Sequence, residues 1–107
     1  MTALQKEITL ISNLIRDQYK PEKIILFGSA VRGEMKENSD LDFFIIKKTT
    51  KLRHHRSADV YRLTRNTESQ HPVDFIVYTP KEFQKQIEIG DFFIENILNQ
   101  GKVIYAK

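Results

Sequence analysis

Leu26-Phe27-Gly28-Ser29-Ala30-Val31-Arg32-Gly33-Glu34-Met35-Lys36-Glu37-Asn38-Ser39-Asp40-Leu41-Asp42-Phe43 is the stretch that decides the fold. An apolar run, Ile24 to Phe27, leads into its glycine turn, and a second, Phe43 to Ile46, follows its acids. Both runs are short and rich in β-branched or aromatic residues, as buried strands are. Ala30 to Lys36 has room for about two turns of helix at most. The unit therefore reads strand, glycine turn, short helix, loop, strand.

The turn and the acids point to one chemistry. Gly28 lacks a Cβ, so its backbone can take a positive φ and a ligand can come close. Ser29 stands where a helix N-cap would be, and helix N-termini offer free N–H groups to anions such as phosphate. An ordinary strand-to-helix turn has the same look. Asp40 and Asp42 are two apart on a strand and so project to one face. Aspartate is depleted in strands, and paired carboxylates repel unless a cation or water offsets them. Mg²⁺ takes carboxylate and water oxygens and shares its shell with substrate phosphates. A solvated strand entrance is the plain alternative for this pair, and the adjoining Gly-Ser turn weighs against it.

A third carboxylate interrupts another apolar run, His71-Pro72-Val73-Asp74-Phe75-Ile76-Val77-Tyr78. Gly28 closes its strand, whereas Asp40, Asp42 and Asp74 open theirs. For all of them to share a site, the first two strands must run antiparallel and the last two parallel. The connection from Lys47 to His71 is long enough for the helical crossover that a parallel pair needs. Arg32 lies one helical turn beyond Ser29 and can serve a phosphate or an acidic neighbour. Ser39 can contact a phosphate or cap the loop before the strand. Gly33 reads as the end of the short helix.

Around this centre the reading is α+β, a small mixed sheet flanked by helices. Leu4, Ile8, Ile11 and Ile15 recur at helical spacing, which predicts an amphipathic helix over 3–19, ended by Lys20-Pro21. Strands are expected at about 23–28, 40–47 and 72–78, and a helix at about 52–67. Pro80 opens a helical region with Phe83 and Ile87 on one face, then Phe93 and Ile97 beyond Gly90. Gly101 closes it, and Val103-Ile104-Tyr105 is a terminal edge strand. Phe27, Phe43, Phe44, Phe75, Phe92 and Phe93 are read as core.

With 107 residues the chain is expected to form a single domain, 1–107. There is no cysteine, so disulfides and thiolate zinc sites are excluded. No apolar run approaches the ~20 residues of a membrane span, and the first residues do not resemble a signal peptide. A cytoplasmic protein with no membrane partner is the default expectation. The net charge of +3 does not argue for a nucleic-acid partner. Basic residues do crowd Lys47 to Arg65: Lys47, Lys48, Lys51, Arg53, Arg56, Arg62 and Arg65 against Asp59 alone. They are a solvated face or a surface for RNA or for an acidic protein partner, and Arg62 and Arg65 are carried back towards the acids. Adjacent His54 and His55 diverge on a helix, and His71 is remote, so no histidine metal site is expected.

The segment Gly28-Ser29-Ala30-Val31-Arg32-Gly33-Glu34, then Ser39-Asp40-Leu41-Asp42, resembles the signature of the polymerase-β-like nucleotidyltransferase superfamily. Within it, the chain is most similar to the minimal nucleotidyltransferase domains of prokaryotes. Val73 to Phe83 resembles their third strand and the turn after it, and Ile97 to Tyr105 their last helix and strand. The resemblance implies the polymerase-β-like nucleotidyltransferase fold and two-metal transfer of a nucleoside monophosphate from a triphosphate, ATP by family habit, to a hydroxyl. It gives Asp40 and Asp42 the Mg²⁺ ions on the triphosphate, with Mn²⁺ as a substitute, and Asp74 the metal at the attacking hydroxyl. Gly28 and Ser29 would hold the β- and γ-phosphates, with Arg32 and Ser39 as further nucleotide-binding candidates.

Such domains often pair with a helical HEPN toxin, a ribonuclease, and act as its antitoxin by transferring AMP to a tyrosine. Two other readings compete. One is a small-molecule nucleotidyltransferase, a homo-oligomer whose second subunit completes the acceptor pocket. The other is a non-catalytic antitoxin that acts by contact alone.

Overall fold

Thr2 starts the first helix: its hydroxyl accepts from the Gln5 backbone N–H while the Gln5 side chain accepts from the Thr2 N–H. This reciprocal box satisfies two donors that a helix start leaves orphaned. The computed structural model describes all residues, Met1 to Lys107. Helix α1 spans Ala3–Gln18 and buries Ile11 and Ile15 completely. Lys20 then takes a left-handed φ of 55°, which turns the chain into Pro21 and strand β1, Lys23–Phe27.

Helix α2 is one turn, Ser29–Arg32, ended by Gly33 at a left-handed φ of 72°. Strand β2 is Leu41–Ile46, α3 is Arg53–Thr64 and β3 is Val73–Tyr78. Helices α4 (Pro80–Ile89) and α5 (Phe92–Gln100) follow, then strand β4, Lys102–Ala106. Thr79 and Glu82 cap α4 as Thr2 and Gln5 cap α1. The predicted ends of α1, the first three strands and α3 hold or move inward by up to three residues, where caps and turns take over from periodicity, whereas β4 extends one residue beyond its prediction at each end.

The four strands lie in the order β3-β2-β1-β4. β1 is antiparallel to β2 and to β4, whereas β2 and β3 are parallel. Helices cover both faces, which is why β1 and β2 read as almost unbroken apolar runs. Ile24, Leu26, Leu41, Phe43, Ile45, Phe75 and Val77 pack with Ile11, Ile15 and Val60 on the α1/α3 side. Ile25, Phe44, Ile46 and Tyr78 pack with Ile94 and Ile97 on the other. Phe44 is fully buried and meets Tyr78, Phe83 and Phe93 at ring distances of 5.0–6.1 Å. Phe92 departs from the core expectation: it sits 87% exposed in the first turn of α5, while its neighbour Phe93 turns inward against Phe27.

Two buried charges clasp the layers. Arg56 of α3 donates to the Lys51 carbonyl at 2.7 Å, the Val77 carbonyl at 3.2 Å and both carboxylate oxygens of Glu82 at 2.6 and 3.2 Å. It thereby ties α3 to the outer edge of β3 and to the start of α4. The Arg56 guanidinium, acting over the cost of burial, holds the Glu82 carboxyl down at about 2. Glu7 of α1 accepts from the backbone N–H groups of Gln70 and His71, faces the His71 ring at 2.9 Å and accepts from the Ser69 hydroxyl. Burial pushes Glu7 up, but these bonds outweigh it and leave its carboxyl below the usual range. The loop that leads into β3 is pinned to α1 as a result.

Breaking a buried pair strands the surviving charge. Arg56→Met, which keeps the stem, should cost about 3 kcal/mol in urea unfolding. In the parent, stability from the pair is complete above pH 4.5 and is lost as pH falls towards 2, because the unfolded Glu82 takes up its proton first. The variant should lose that part of the acid dependence. A parent-like acid unfolding profile for Arg56→Met would contradict the assignment.

Candidate active site

The sheet register builds the site. Asp42 stands opposite Phe27 on one side and opposite Asp74 on the other. Residues directly opposite each other point to the same face, and neighbouring strands lie about 4.8 Å apart. Asp42 and Asp74 therefore project together at the starts of two parallel strands. Asp40, just before β2, is close enough for its charge to act on Asp42. Asp40 and Asp74 are exposed and Asp42 is half-buried.

Electrostatics mark Asp42 as the strained member. Burial, then the charges of Asp74 and Asp40, raise its pKa to about 6, against a small opposing pull from Arg32. None of the three carboxylates takes part in an ion pair. Uncompensated like charges on rigid strands, open to solvent, are a donor set that suits a hard divalent cation. No group of three or more His, Cys, Asp or Glu side chains is set to hold a metal ion by itself, so water or phosphate oxygens would have to complete a metal's shell here.

Gly28 abuts this cluster. Its φ of 77° and ψ of −151° belong to glycine, and a Cβ there would strike the Asp42 Oδ2 atom. The turn has to be bare for β1 to end beside the acids. Ser29 opens α2, whose first N–H groups lack partners within the helix. Its hydroxyl donates only to the Met35 sulfur, at 3.3 Å, a weak acceptor that a phosphate oxygen can displace.

The remaining candidates sit further out. Arg32 pairs with Glu34 at 3.2 Å on the surface. The Ser39 hydroxyl accepts from the Lys36 N–H at 2.9 Å and caps the loop ahead of Asp40. Of the basic segment, Lys47 donates to the Tyr19 carbonyl, Lys51 and Arg62 both pair with Asp59, and Arg53 lies over the Tyr78 ring. Arg62 thus has an acidic partner on its own helix, and Arg65 is the C-cap of α3. His54 and His55 face each other at 4.1 Å on α3, and His71 pairs with Glu7.

Tyr61 was not legible as a site residue. Its hydroxyl donates to Asp74 Oδ1 at 3.0 Å and accepts from the Phe75 N–H at 3.4 Å. Its one signal in the sequence is a tyrosine on a helix with few apolar residues.

The chain matches the polymerase β nucleotidyltransferase family model over residues 9–107. It belongs to that family, and nucleotidyltransferase is its enzyme class. Among solved structures it is similar to a toxin-antitoxin determined with AMP-PNP, at 24% identity and TM-score 0.65, over 92% of this chain and 73% of that one. A mutant of the toxin-antitoxin MntA-HpeT aligns at 21% identity and TM-score 0.61, over 94% and 72%. Spectinomycin adenyltransferase from Enterococcus faecialis, determined with ATP and spectinomycin, aligns at 16% identity and TM-score 0.65, over 96% and 56%. These likenesses establish the fold. No curated protein matches the chain.

The raised pKa of Asp42 carries a sign. An acid whose folded pKa lies above its unfolded value of 3.8 weakens the fold as pH rises towards about 6. Solvent screening at this open site leaves a penalty on the order of 1 kcal/mol at neutral pH. Asp42→Asn should therefore be more stable than the metal-free parent by a few degrees in melting temperature near neutrality. Near pH 4 that advantage should vanish. Gly28→Ala should be less stable at every pH, since it meets both the strained φ and the Asp42 carboxylate. Thermal melts across pH test all three; an Asp42→Asn advantage that persists into acid would refute the repulsion argument.

Proposed function

We propose that the domain transfers a nucleoside monophosphate, AMP from ATP, to a hydroxyl of a partner protein, with Mg²⁺ as cofactor and Mn²⁺ as a substitute. The observation that carries this reading is the in-register pair Asp42 and Asp74, uncompensated and next to the bare Gly28 turn. Asp40 and Asp42 would hold the ion on the triphosphate and Asp74 a second ion. When bound, the metals supply charge neutralisation on the entering and leaving oxygens of an in-line displacement.

The chain's own residues divide the remaining work. Gly28 and Ser29 hold the β- and γ-phosphates through backbone N–H and hydroxyl, so the α-phosphorus stands over the acids. The acceptor oxygen bonds to that phosphorus as the bond to the β-phosphate oxygen breaks, and pyrophosphate leaves. Asp74 takes the proton of the attacking hydroxyl. Its exposure leaves the approach on its side open to a large acceptor.

Similarity of fold to two toxin-antitoxin structures supports a protein acceptor and an antitoxin role; that the partner is a HEPN-type helical ribonuclease toxin is proposed from the sequence resemblance alone. The adenyltransferase with spectinomycin supports the second reading, a small-molecule acceptor. That structure is matched over 56% of its length.

Asp74→Asn separates transfer from binding. It should bind Mg-ATP within about threefold of the parent yet lose at least about a hundredfold in transfer, because a group serving the activated hydroxyl acts mainly in the transition state. The assay is intact mass measurement of a HEPN-type helical toxin after incubation with the domain, ATP and Mg²⁺, run beside the toxin's activity. Full restraint of that partner by Asp74→Asn, with no mass added, would replace the catalytic reading by a contact antitoxin.

A further inference from the structure

β3 is an edge strand, and its outward side is dressed by α3. The Leu41 and Lys47 N–H groups of the β2 side donate to the carbonyls of Pro72 and Tyr78. In a parallel pair the alternation then turns the even-numbered backbone groups of β3 towards β2 and the odd-numbered ones outward. Two outward groups find partners five residues apart on α3: the Val77 carbonyl accepts from Arg56, and the Phe75 N–H donates to the Tyr61 hydroxyl. Tyr61 passes the chain of bonds on, giving its own proton to Asp74 Oδ1 at 3.0 Å. The Asp74 oxygen that it holds therefore faces the outer edge, away from Asp42.

We propose that Tyr61 is a positioning residue for Asp74: from the outer edge of β3 its hydroxyl holds one carboxylate oxygen and so presents the other to a divalent cation on the Asp42 side. This inference rests on the metal-dependent reading above and adds the residue that orients its third carboxylate. Outer partners of this kind fix ligand orientation and raise metal affinity. The Tyr61 ring is itself held, packed edge-on to Phe75 with centroids 4.9 Å apart, so the hydroxyl arrives from a fixed base.

The test is Tyr61→Phe, which removes the hydroxyl and keeps the ring. Mn²⁺ binding is followed by electron paramagnetic resonance in the presence of AMP-PNP, for the parent, Tyr61→Phe and Asp74→Asn. The parent should bind two ions per chain, and Asp74→Asn should lose the weaker one. Tyr61→Phe should weaken that same ion about tenfold or more while leaving AMP-PNP affinity, the tighter ion and the melting temperature near parental values. Parent-like binding of both ions by Tyr61→Phe would overturn the proposal. Equal weakening at both ions with a lowered melting temperature would also overturn it, because the hydroxyl would then be only structural. A parent that binds neither Mn²⁺ nor AMP-PNP would reject the nucleotidyl-transfer reading, and the role of Tyr61 with it.

Discussion

The parallel, in-register pairing of β2 with β3 is the constraint on which the rest of the molecule depends. It sets Asp42 beside Asp74 at one strand spacing, and no relaxation of side chains alone can separate their backbones. A one-residue slip would turn Asp74 to the opposite face and bury it against α3. Phe75 and Val77 prevent that slip, because both would leave their packing against Phe43 and Ile45 with it. The hydrophobic alternation that makes the strands thus also holds two carboxylates where they repel. A site that raises one of its own acids to about 6 is under tension that the rest of the fold has to offset.

The offset comes from charges on two helices that grip the strand carrying Asp74. Arg56 and Glu7 anchor β3 from opposite ends, one at Val77 near its finish and the other at the Ser69–His71 loop before its start. Neither anchor touches the acids, yet both restrain the strand that carries Asp74. Parallel strands joined through a long crossover are won late in folding, since loop closure precedes any reward. Polar clasps with fully satisfied partners give such a strand one position rather than several.

What could be read from the sequence follows from which forces are local. The ends at which glycine and the acids sit on their apolar runs fixed relative strand directions, and the structure has those directions. Core positions followed from alternation and helical spacing, except at Phe92, whose pairing with Phe93 allows only one of two adjacent helical residues to face inward. The clasps were not legible. Arg56 looked like one more cation in a solvated basic run, and Glu82 lies 26 residues away. Glu7 carried no mark of burial, since its partners are backbone N–H groups 63 and 64 positions later. Tyr61 meets Asp74 only because β3 is an edge strand, a fact of tertiary order.

That edge explains the character of α3. An exposed strand edge is a template for unwanted pairing, and a purely apolar helix laid over it would leave the outward N–H and C=O groups unsatisfied. α3 covers the edge with Val60 turned to the core and with long polar side chains, Arg56 and Tyr61, reaching the strand's backbone. Its weak amphipathicity therefore reflects a second duty beside packing. Lys51 and Arg62 are drawn to Asp59 and Arg53 to Tyr78, so little of the basic segment is left as free charge for a distant ligand. The same helix that closes the sheet also reaches the acid cluster through a hydroxyl. Edge protection and carboxylate orientation are thus one piece of geometry, and a change that disturbs the first is transmitted to the second through Phe75 and Asp74.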